Sequence, residues 1–434
     1  MTSPPIAGPR SGIAIQSACF YARAPQYLER CRERFGPIFR LQLWGMQSKE
    51  IVFITDRELA EQALRGPSTQ VLGGEPNQFL SPVLGRQSML VMDGPAHQHW
   101  RRLLLTLMHS DFLAQARELS ARHARAQIAT WRDGAPVNTL AAARDMILDL
   151  MTPLLFGADE PSRLRRALQL VSAASRSWGA FYMPWDVTAL SPYRRFRQRL
   201  LASDEIIFQA IAEARRRGRG QSAQGGVLGW LLAHGGSELH DQAIRDNLVT
   251  LFLAAYGSTA VATAWLLQHL AFDATAQRTT ASGGLANPRD EFDAVDSLVR
   301  EALRTHPPFE FILRMVRGGP LPVGGHLIPD GAMVAISLSA LHGDEQTFTD
   351  PARFCPARFP DARMPRGYMP FGYGSRRCVG ASLAHTMIRS IVVTVVAERS
   401  LRPAGAFDRR VRRGITFAPA RGAVVLTEKR AAAP

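Results

Sequence analysis

The stretch FGYGSRRCVG, residues Phe371–Gly380, places a single cysteine in a glycine-rich loop directly ahead of an apolar run. The run repeats its apolar residues with helical period, so Cys378 is predicted to lie at or just before a helix N-terminus. The positive end of the helix dipole there favours the thiolate over the thiol, and Arg376 adds a cation two residues away. Gly372 and Gly374 allow backbone angles and close approaches that a side chain would forbid.

Two interpretations of this cysteine are open. A lone cysteine is most commonly a buried structural residue. A thiolate held in an electropositive loop is instead suited to bind a haem iron from the axial side. Six positions match the pattern F-G-x-G-x-R-x-C-x-G, and this spacing favours the ligand over the structural residue.

The stretch resembles the haem-binding loop of the cytochrome P-450 family, the haem-thiolate monooxygenases. The resemblance implies that Cys378 is the metal ligand, that the cofactor is haem b and that O2 is a co-substrate. It also implies that four neighbours in the loop bind the cofactor: Phe371, Gly372, Arg376 and Gly380.

The bulk composition is that of an ordinary soluble globular protein. The chain has 434 residues, of which 46% are hydrophobic and 21% are charged. Its formal net charge of +15 has two explanations, a codon usage that favours arginine or a basic face that docks an acidic partner. Nucleic-acid binding is not predicted, because no motif of interleaved basic and aromatic residues occurs.

The cysteines and the apolar segments bear on the compartment. The four cysteines form no C-x-x-C pair, which argues against a zinc site and a disulfide framework and fits a reducing compartment. Residues 1–10 carry no apolar signal or anchor segment. The run over 248–272 is nearly long enough to span a bilayer, but polar residues interrupt it, so a buried central helix is predicted. We therefore expect a cytoplasmic protein without a membrane anchor.

Helical patterns dominate residues 93–310, whereas strands are expected near the N-terminus and again over 321–337 and 413–427. The predicted fold class is therefore mainly α with a small β region. This agrees with the cytochrome P-450 fold that the resemblance implies. We expect a single domain over residues 1–434, in which residues 1–20 form an extended N-terminal segment.

Two further motifs resemble the cofactor-binding residues of the family. His97 and Arg101 stand four residues apart and share one face of a predicted helix. They resemble the family's H-x-x-x-R pair, which binds a haem propionate. Arg314 matches the second propionate-binding arginine.

The sequence Glu301-Ala-Leu-Arg304 places an acid and a base on one helix face. By itself this pattern is typical of a surface ion pair. Together with Arg358 it resembles the family's Glu-Arg-Arg network, which is structural and holds the helix against the cysteine loop. Buried charges of this kind need mutual satisfaction.

The resemblance also supplies candidate residues for the substrate pocket. They come from the segment that lies over the substrate in the family, from the central helix, from the neighbourhood of Arg314 and from the C-terminal region: Phe79, Leu80, Met89, Phe181, Leu251, Ala254, Ala255, Phe309, Ile312 and Phe417.

The central helix departs from the family pattern A-G-x-[D/E]-T, in which an acid and an alcohol relay protons to bound oxygen. Gly257 replaces the acid and Ser258 the alcohol, although a shift of one residue would make Thr259 the alcohol instead. Without the carboxylate, water, the hydroxyl or the substrate must organise proton delivery. Two explanations of this departure are open. Either the acid was lost by neutral drift and water takes its place, or the enzyme performs non-standard chemistry.

The resemblance implies a monooxygenase that activates O2 to oxidise an apolar small molecule of fatty-acid, terpenoid or other secondary-metabolite type. Electrons are expected from a ferredoxin and its reductase, because the chain carries no flavin or nucleotide motif. Two alternatives stay open. One is a haem-thiolate enzyme with non-standard chemistry, namely a peroxide-driven reaction, desaturation, coupling or isomerisation. The other is a non-catalytic carrier of haem or of a ligand.

Overall fold

The computed structural model describes residues 4–157, 161–176, 192–217, 226–236, 239–283 and 294–430. Helices occupy most of these residues: α1 Ile13–Phe35, α2 Arg57–Arg65, α3 Ser81–Leu84, α4 Gly94–Leu107, α5 Ser110–Ile128, α6 Thr139–Phe156, α7 Pro161–Ser175, α8 Pro192–Arg217, α9 Gly226–His234, α10 Asp241–Phe272, α11 Ala274–Gly283, α12 Ala294–Thr305, α13 Leu338–His342 and α14 Ala381–Glu398. The mainly α character predicted from the sequence is confirmed.

The strands are short and include those that the sequence predicts: β1 Ile38–Leu41, β2 Ile51–Ile54, β3 Val71–Leu72, β4 Pro136–Asn138, β5 Phe311–Val316, β6 Leu321–Val323, β7 His326–Ile328, β8 Met333–Ser337, β9 Arg399–Pro403, β10 Arg410–Arg413, β11 Thr416–Pro419 and β12 Val424–Lys429. The described chain divides into two compact units. The expected single domain therefore stays a prediction.

The first unit comprises residues 1–79, 90–98 and 300–378 and is built on a five-stranded sheet of order β1-β2-β8-β5-β3. Strands β2 and β8 pair in parallel, whereas the other neighbours pair antiparallel. Both faces of the central strands are covered, because every residue of β2 and of β8 is buried. Continuous β-branched and aliphatic runs are typical of such fully covered strands.

The second unit comprises residues 80–89, 99–299 and 379–434 and is organised around α10. This helix packs against α6 and α14, and its side chain Trp265 is fully buried. A three-stranded sheet of order β4-β12-β9 and the hairpin of β10 and β11 complete the unit. A helix that is apolar on most of its circumference needs such burial on several sides.

In the part of the chain that the structure describes, two helices, α10 and α14, are long and apolar enough to span a membrane by length and composition alone. Within the protein, however, 61% and 50% of their most apolar windows are buried. A core helix of this kind passes the same test as a membrane span. The burial agrees with the buried central helix that the sequence predicts over 248–272.

The expectation of an extended segment over residues 1–20 is wrong from Ile13 onward, because α1 begins there. Its first half is held by contacts that no local pattern shows. The side-chain oxygen of Gln16 accepts the N–H of Gln42 at 2.9 Å, and the Ser17 hydroxyl accepts the N–H of Trp44 at 2.9 Å. These buried polar groups fix the helix against the segment after β1.

Candidate active site

The cysteine loop has the geometry that its sequence predicts. Cys378 lies three residues ahead of α14, and the residue is exposed. The N–H of Cys378 donates to the carbonyl oxygen of Phe371 at 2.8 Å, which closes the loop. Gly372 and Gly374 adopt φ of 74° and 69°, a region that side chains rarely occupy. The loop that contains Cys378 therefore has a backbone conformation that favours glycine at positions 372 and 374.

A buried charge network in the first unit involves the acid and both bases named from the sequence. The Glu301 carboxylate accepts from Arg304 Nε at 2.7 Å and Nη2 at 2.8 Å, and from Arg358 Nε at 3.3 Å. It also accepts the N–H of Cys355 at 2.8 Å. Glu301 and Arg304 are 0% and 2% exposed, so the surface ion pair is excluded. Hydrogen bonds to both oxygens are what a buried carboxylate needs.

Sequence reasoning missed the residue that connects this network to the cysteine loop. The backbone N–H of Met369 donates to His342 Nε2 at 3.1 Å, and Gly372 donates to the carbonyl oxygen of Met369 at 2.9 Å. On the other side Arg304 Nη1 donates to the carbonyl oxygen of His342 at 2.8 Å, and His342 Nδ1 lies 3.1 Å from the Arg304 carbonyl oxygen. His342 carries no signal beyond being a histidine, since its partners lie far from it in sequence.

Arg314 is a buried cation, and no carboxylate among the described residues forms an ion pair with it. Its Nη1 donates to the carbonyl oxygen of Leu313 at 2.8 Å, and the residue is 8% exposed. Burial lowers the pKa of Arg314 to about 10, repulsion by Arg376 acts in the same direction, and attraction by Asp93 opposes them only in part. A buried charge of this kind is stabilised by an anionic ligand.

Arg376 is engaged by the protein itself. Its Nη2 donates to the Asp93 carboxylate and to the carbonyl oxygen of Met92, the latter at 2.5 Å. Asp93 also accepts the N–H of Gly73 at 2.9 Å and of Glu75 at 2.9 Å. The sequence named Arg376 as a cofactor-binding residue and did not identify Asp93, which holds the arginine in place.

The pair His97 and Arg101 is placed one turn apart on α4, as the sequence predicts. His97 is buried. The chain passes from the first unit to the second between these two residues. His97 and Arg101 share one face of α4 because they are four residues apart in the helix.

The central helix α10 is less buried over residues 251–258 than over 243–250 and 259–268. Within this segment Leu251, Ala254, Ala255 and Ser258 share one face of the helix, called the stripe below, and Ala254 is exposed. Ser258 Oγ donates to the carbonyl oxygen of Ala254 at 2.6 Å. Thr259, one turn after Ala255, is buried, and its Oγ1 has no hydrogen-bond partner among the described residues.

Gly257 has room for a side chain. A Cβ built on it meets no atom of the described residues within 4 Å, and its φ is not positive. Neither the backbone nor these surroundings therefore exclude a carboxylate at this position.

The candidate pocket residues fall in both units. Phe79, Phe309 and Ile312 belong to the first, and Phe309 is exposed. Those in the second unit are Leu80, Met89, Leu251, Ala254, Ala255 and Phe417. Phe181 lies outside the described residues.

The residues of the first unit fit a haem group. An exposed cysteine stands ahead of α14, and Arg314 is a buried cation whose charge Asp93 compensates only in part. A thiolate suits the iron, and a propionate would offset the buried guanidinium.

Comparison with known proteins decides the family. A family model described as Cytochrome P450 matches residues 3–406. The chain belongs to the cytochrome P450 family. Members are haem-thiolate oxidoreductases of monooxygenase type that use O2, act on small substrates and receive electrons from redox partners.

Relatives of similar sequence align with nearly the whole length of this P450. The chain is 27% identical over 434 residues to cytochrome P450 135B1 of Mycobacterium tuberculosis, covering 96% of this chain and 90% of that protein. It is 28% identical over 426 residues to cytochrome P450 137 of the same species, covering 94% and 87%. A solved structure described as retinoic acid bound cyanobacterial CYP120A1 has a TM-score of 0.82 at 18% identity, covering 99% and 100% of the two chains. This last similarity concerns the fold.

Proposed function

We propose that this P450 binds haem b through Cys378 and uses O2 to oxidise an apolar small molecule of fatty-acid, terpenoid or other secondary-metabolite type. The observation that carries the proposal is the exposed Cys378, held ahead of α14 in a loop that closes on Phe371. Bound haem supplies the activation of O2, and the thiolate favours O–O cleavage.

The basic residues of the site bind the propionates. Arg314 supplies a buried positive charge, and Arg376 is oriented by Asp93 beside it. His97 and Arg101 on α4 contribute a second pair. A charge-assisted hydrogen bond to a carboxylate is stronger than a neutral one, so each of the three arginines adds to haem affinity.

The rest of the loop and the buried network support the ligand. Phe371, Gly372 and Gly380 shape the loop around the sulfur. The network that Glu301 forms with its two arginines acts through His342 on the backbone of the loop, and its role is structural.

Ser258 is the alcohol that organises proton delivery, because it lies on the less buried stripe of α10 with Ala254. Thr259 is buried and does not take this role. Gly257 provides no proton donor, so water or the substrate completes the relay. The apolar side chains of Leu251 and Ala254 give the same stripe its affinity for an apolar substrate.

Electrons reach the haem from a ferredoxin with its reductase. The formal charge of +15 favours an acidic partner of this kind. Reduction by an acidic ferredoxin should then slow as salt is added, because the screening length falls to about 10 Å at 0.1 M ionic strength. A rate that does not depend on salt would leave codon usage as the explanation of the charge.

The ligation is tested by the carbon monoxide difference spectrum of the reduced protein. Wild type should show the red-shifted Soret band of thiolate-bound haem, and Cys378→Ala should lose it. Cys355→Ser, Cys31→Ser and Cys19→Ser are matched controls that should keep the band. Retention of the band in Cys378→Ala would overturn the assignment.

A second candidate function rests on Gly257. The open space around this glycine is compatible with a substrate group that protonates oxygen itself, or with peroxide-driven, coupling, desaturation or isomerisation chemistry. Turnover with a ferredoxin system compared with turnover on peroxide alone separates these candidates. Straight-chain acids and retinoic acid are suitable first probes, the latter because the CYP120A1 structure is described as binding it.

A further inference from the structure

Three arginines of the second unit come together beside α10. Arg144 lies on α6, Arg176 directly follows α7, and Arg413 lies on β10. Helix α6 packs against both α7 and α10, and β11, the partner of β10, packs against α10 as well. We call Arg144, Arg176 and Arg413 the basic cluster.

The start of α6 is attached to the segment that follows β11. Thr139 Oγ1 donates to the carbonyl oxygen of Ala423 at 2.8 Å, and the N–H of Leu140 donates to that of Gly422 at 3.1 Å. Arg144 lies about one turn farther along the helix than Leu140. These hydrogen bonds hold the first turns of α6, and Arg144 with them, close to the hairpin of β10 and β11.

The charge of Arg144 is poorly compensated. Burial lowers the pKa of Arg144, attraction by Tyr256 opposes this shift, and repulsion by Arg176 and Arg413 adds to it. No carboxylate is among the groups that shift this pKa. The Nε atom of Arg144 is buried and has no hydrogen-bond partner among the described residues. A partly buried cation of this kind is stabilised by an anionic ligand.

The other two guanidinium groups of the basic cluster are held by neutral acceptors. Arg176 Nη1 donates to Ser172 Oγ at 3.0 Å, and Arg413 Nη2 donates to the carbonyl oxygen of Ala420 at 2.8 Å. Within the described ranges of the chain, neither arginine forms an ion pair with a carboxylate. Both residues are exposed. Because a guanidinium has five N–H donors, donors remain on both for a ligand.

The acids nearest to the basic cluster in the sequence have other partners. Asp149 on α6 accepts a hydrogen bond from Arg165 Nε, and Asp408 accepts two N–H groups of the segment after β11. Burial raises the pKa of Asp145, which directly follows Arg144, and Arg165 is the cation that opposes this rise. These acids therefore do not neutralise the basic cluster.

The surface of α10 leads from the basic cluster to the hydroxyl of Ser258. With about 100° between successive residues, the order around the helix is Tyr256, Leu253, Gly257, Ala254 and Ser258. None of these residues is buried. Gly257 lies in the middle of this order, and a Cβ built on it meets no atom of the described residues within 4 Å. The helix surface therefore offers an unobstructed crossing at Gly257 between Tyr256 and Ser258.

We propose that the basic cluster binds the carboxylate of an acidic substrate whose apolar chain crosses α10 over Gly257 to Ser258. The inference rests on the proposed function only in taking Ser258 to mark the place of oxidation. A carboxylate matches the planar donor fork of arginine, and fatty acids are the members of the proposed substrate range that carry this group. The substrate is thus an amphipathic acid, and the basic cluster determines this specificity.

The first test compares an acid with an alcohol of the same chain length. In calorimetric titration of the haem-loaded protein, a saturated straight-chain acid should bind more tightly than the matching alcohol. Arg144→Gln should weaken binding of the acid by roughly ten- to a hundredfold, the loss expected for one charge-assisted hydrogen bond, and should leave the alcohol unchanged. Unchanged affinity for the acid, or equal weakening of acid and alcohol, would overturn the proposal.

Two neighbours on β10 supply the matched control. Arg412 and Arg413 are both exposed and point to opposite faces of the strand, because side chains alternate along it. Arg413→Gln should weaken binding of the acid, whereas Arg412→Gln, which removes the same formal charge, should not. Equal effects of the two changes would show that net charge alone attracts the acid and would contradict a defined site.

Small anions distinguish a bound substrate from a site for any anion. Acetate and inorganic phosphate should displace the long acid only at concentrations at least roughly a hundredfold above its own, because they lack the apolar chain that α10 would bind. Displacement at equal concentration would show that the basic cluster binds anions without regard to the chain, and would overturn the assignment to a substrate.

The crossing at Gly257 is tested with two side chains of similar size. Gly257→Glu places a negative charge between the basic cluster and Ser258, so it should weaken binding of the acid more than Gly257→Gln does, while both variants bind the alcohol alike. Equal affinity of the two variants for the acid would contradict the crossing. Absence of the thiolate band from wild type would contradict the proposed function instead, and the comparison of acid with alcohol would still decide the role of the basic cluster.

Discussion

Arg376 Nη2 donates to the carboxylate of Asp93, the residue directly ahead of α4. The two residues are separated by 283 positions in the sequence. The arginine predicted to bind a propionate is therefore oriented by an acid of the protein itself. The same acid also attracts the buried charge of Arg314.

Replacement of this acid tests its positioning role. Asp93→Asn removes the charge that orients Arg376, so we expect haem affinity to fall by roughly ten- to a hundredfold, the range for loss of a charge-assisted hydrogen bond of about 1.5–3 kcal/mol. The iron reduction potential should rise, because a negative charge near the propionates is lost. Haem transfer to an acceptor globin and a redox titration measure the two effects. Asp330→Asn, at an exposed site, should change neither.

Arg314 should show opposite effects on stability and on ligand binding. Arg314→Gln removes a buried charge that Asp93 compensates only in part, so the haem-free protein should melt at the same or a higher temperature. Haem affinity should nevertheless fall, because the variant no longer offers a cation to a propionate. Thermal melting of the haem-free protein and haem transfer to an acceptor globin measure the two effects.

The control for this prediction is Arg317→Gln. Arg317 is exposed and pairs with Glu75, so its replacement should leave haem affinity unchanged. A loss of haem affinity equal to that of Arg314→Gln would contradict the specific role of Arg314.

The buried network around Glu301 should control folding. Arg358→Ala leaves part of a fully buried carboxylate unpaired, which typically costs about 3–5 kcal/mol, a large share of the stability of a domain. We expect little soluble, haem-loaded protein from this variant or from Glu301→Ala. Arg353→Ala, at an exposed neighbour, should be produced normally. Normal yield and haem content in all three would mean that the network is dispensable.

Removal of the Ser258 hydroxyl and removal of the Thr259 hydroxyl should have different effects on coupling. Ser258→Ala should increase the fraction of reducing equivalents that escape as peroxide, because this hydroxyl lies on the less buried stripe. Thr259→Val removes a buried hydroxyl that lacks a hydrogen bond to any described residue, so coupling should be unchanged and thermal stability equal or higher. Product formed per reducing equivalent consumed is the measurement. If Thr259→Val is the more damaging change, the alcohol is Thr259.

An acid at position 257 should restore the missing proton donor. Gly257→Glu has room for its side chain and should improve coupling with surrogate apolar substrates. Gly257→Gln is the matched neutral control, and both should stabilise α10 by up to about 1 kcal/mol relative to glycine. With the native substrate the glutamate should help little or interfere, because that substrate would use the space. Tight coupling in wild type with every substrate tried would contradict a role for the missing acid.

The sequence by itself determined the features that depend on neighbours along the chain. The spacing around Cys378, the helical period behind it and the glycines before it predict the loop, and the structure places the cysteine three residues ahead of α14. The same holds for Glu301 and Arg304, which one helix turn brings together. Local backbone geometry sets such contacts, so a pattern of a few residues is enough to predict them.

Tertiary structure decided the contacts between residues that lie far apart in the chain. Gln87 meets Asp246 across 159 positions, and Met369 meets His342 across 27. The first half of α1 is also held by such contacts, which is why the extended segment expected over residues 1–20 gives way to a helix at Ile13. Whether the hydroxyl of Ser258 or that of Thr259 is buried depends on which segments pack around α10. Burial and hydrogen-bond partners are properties of the folded chain, because they arise only when distant segments exclude water together.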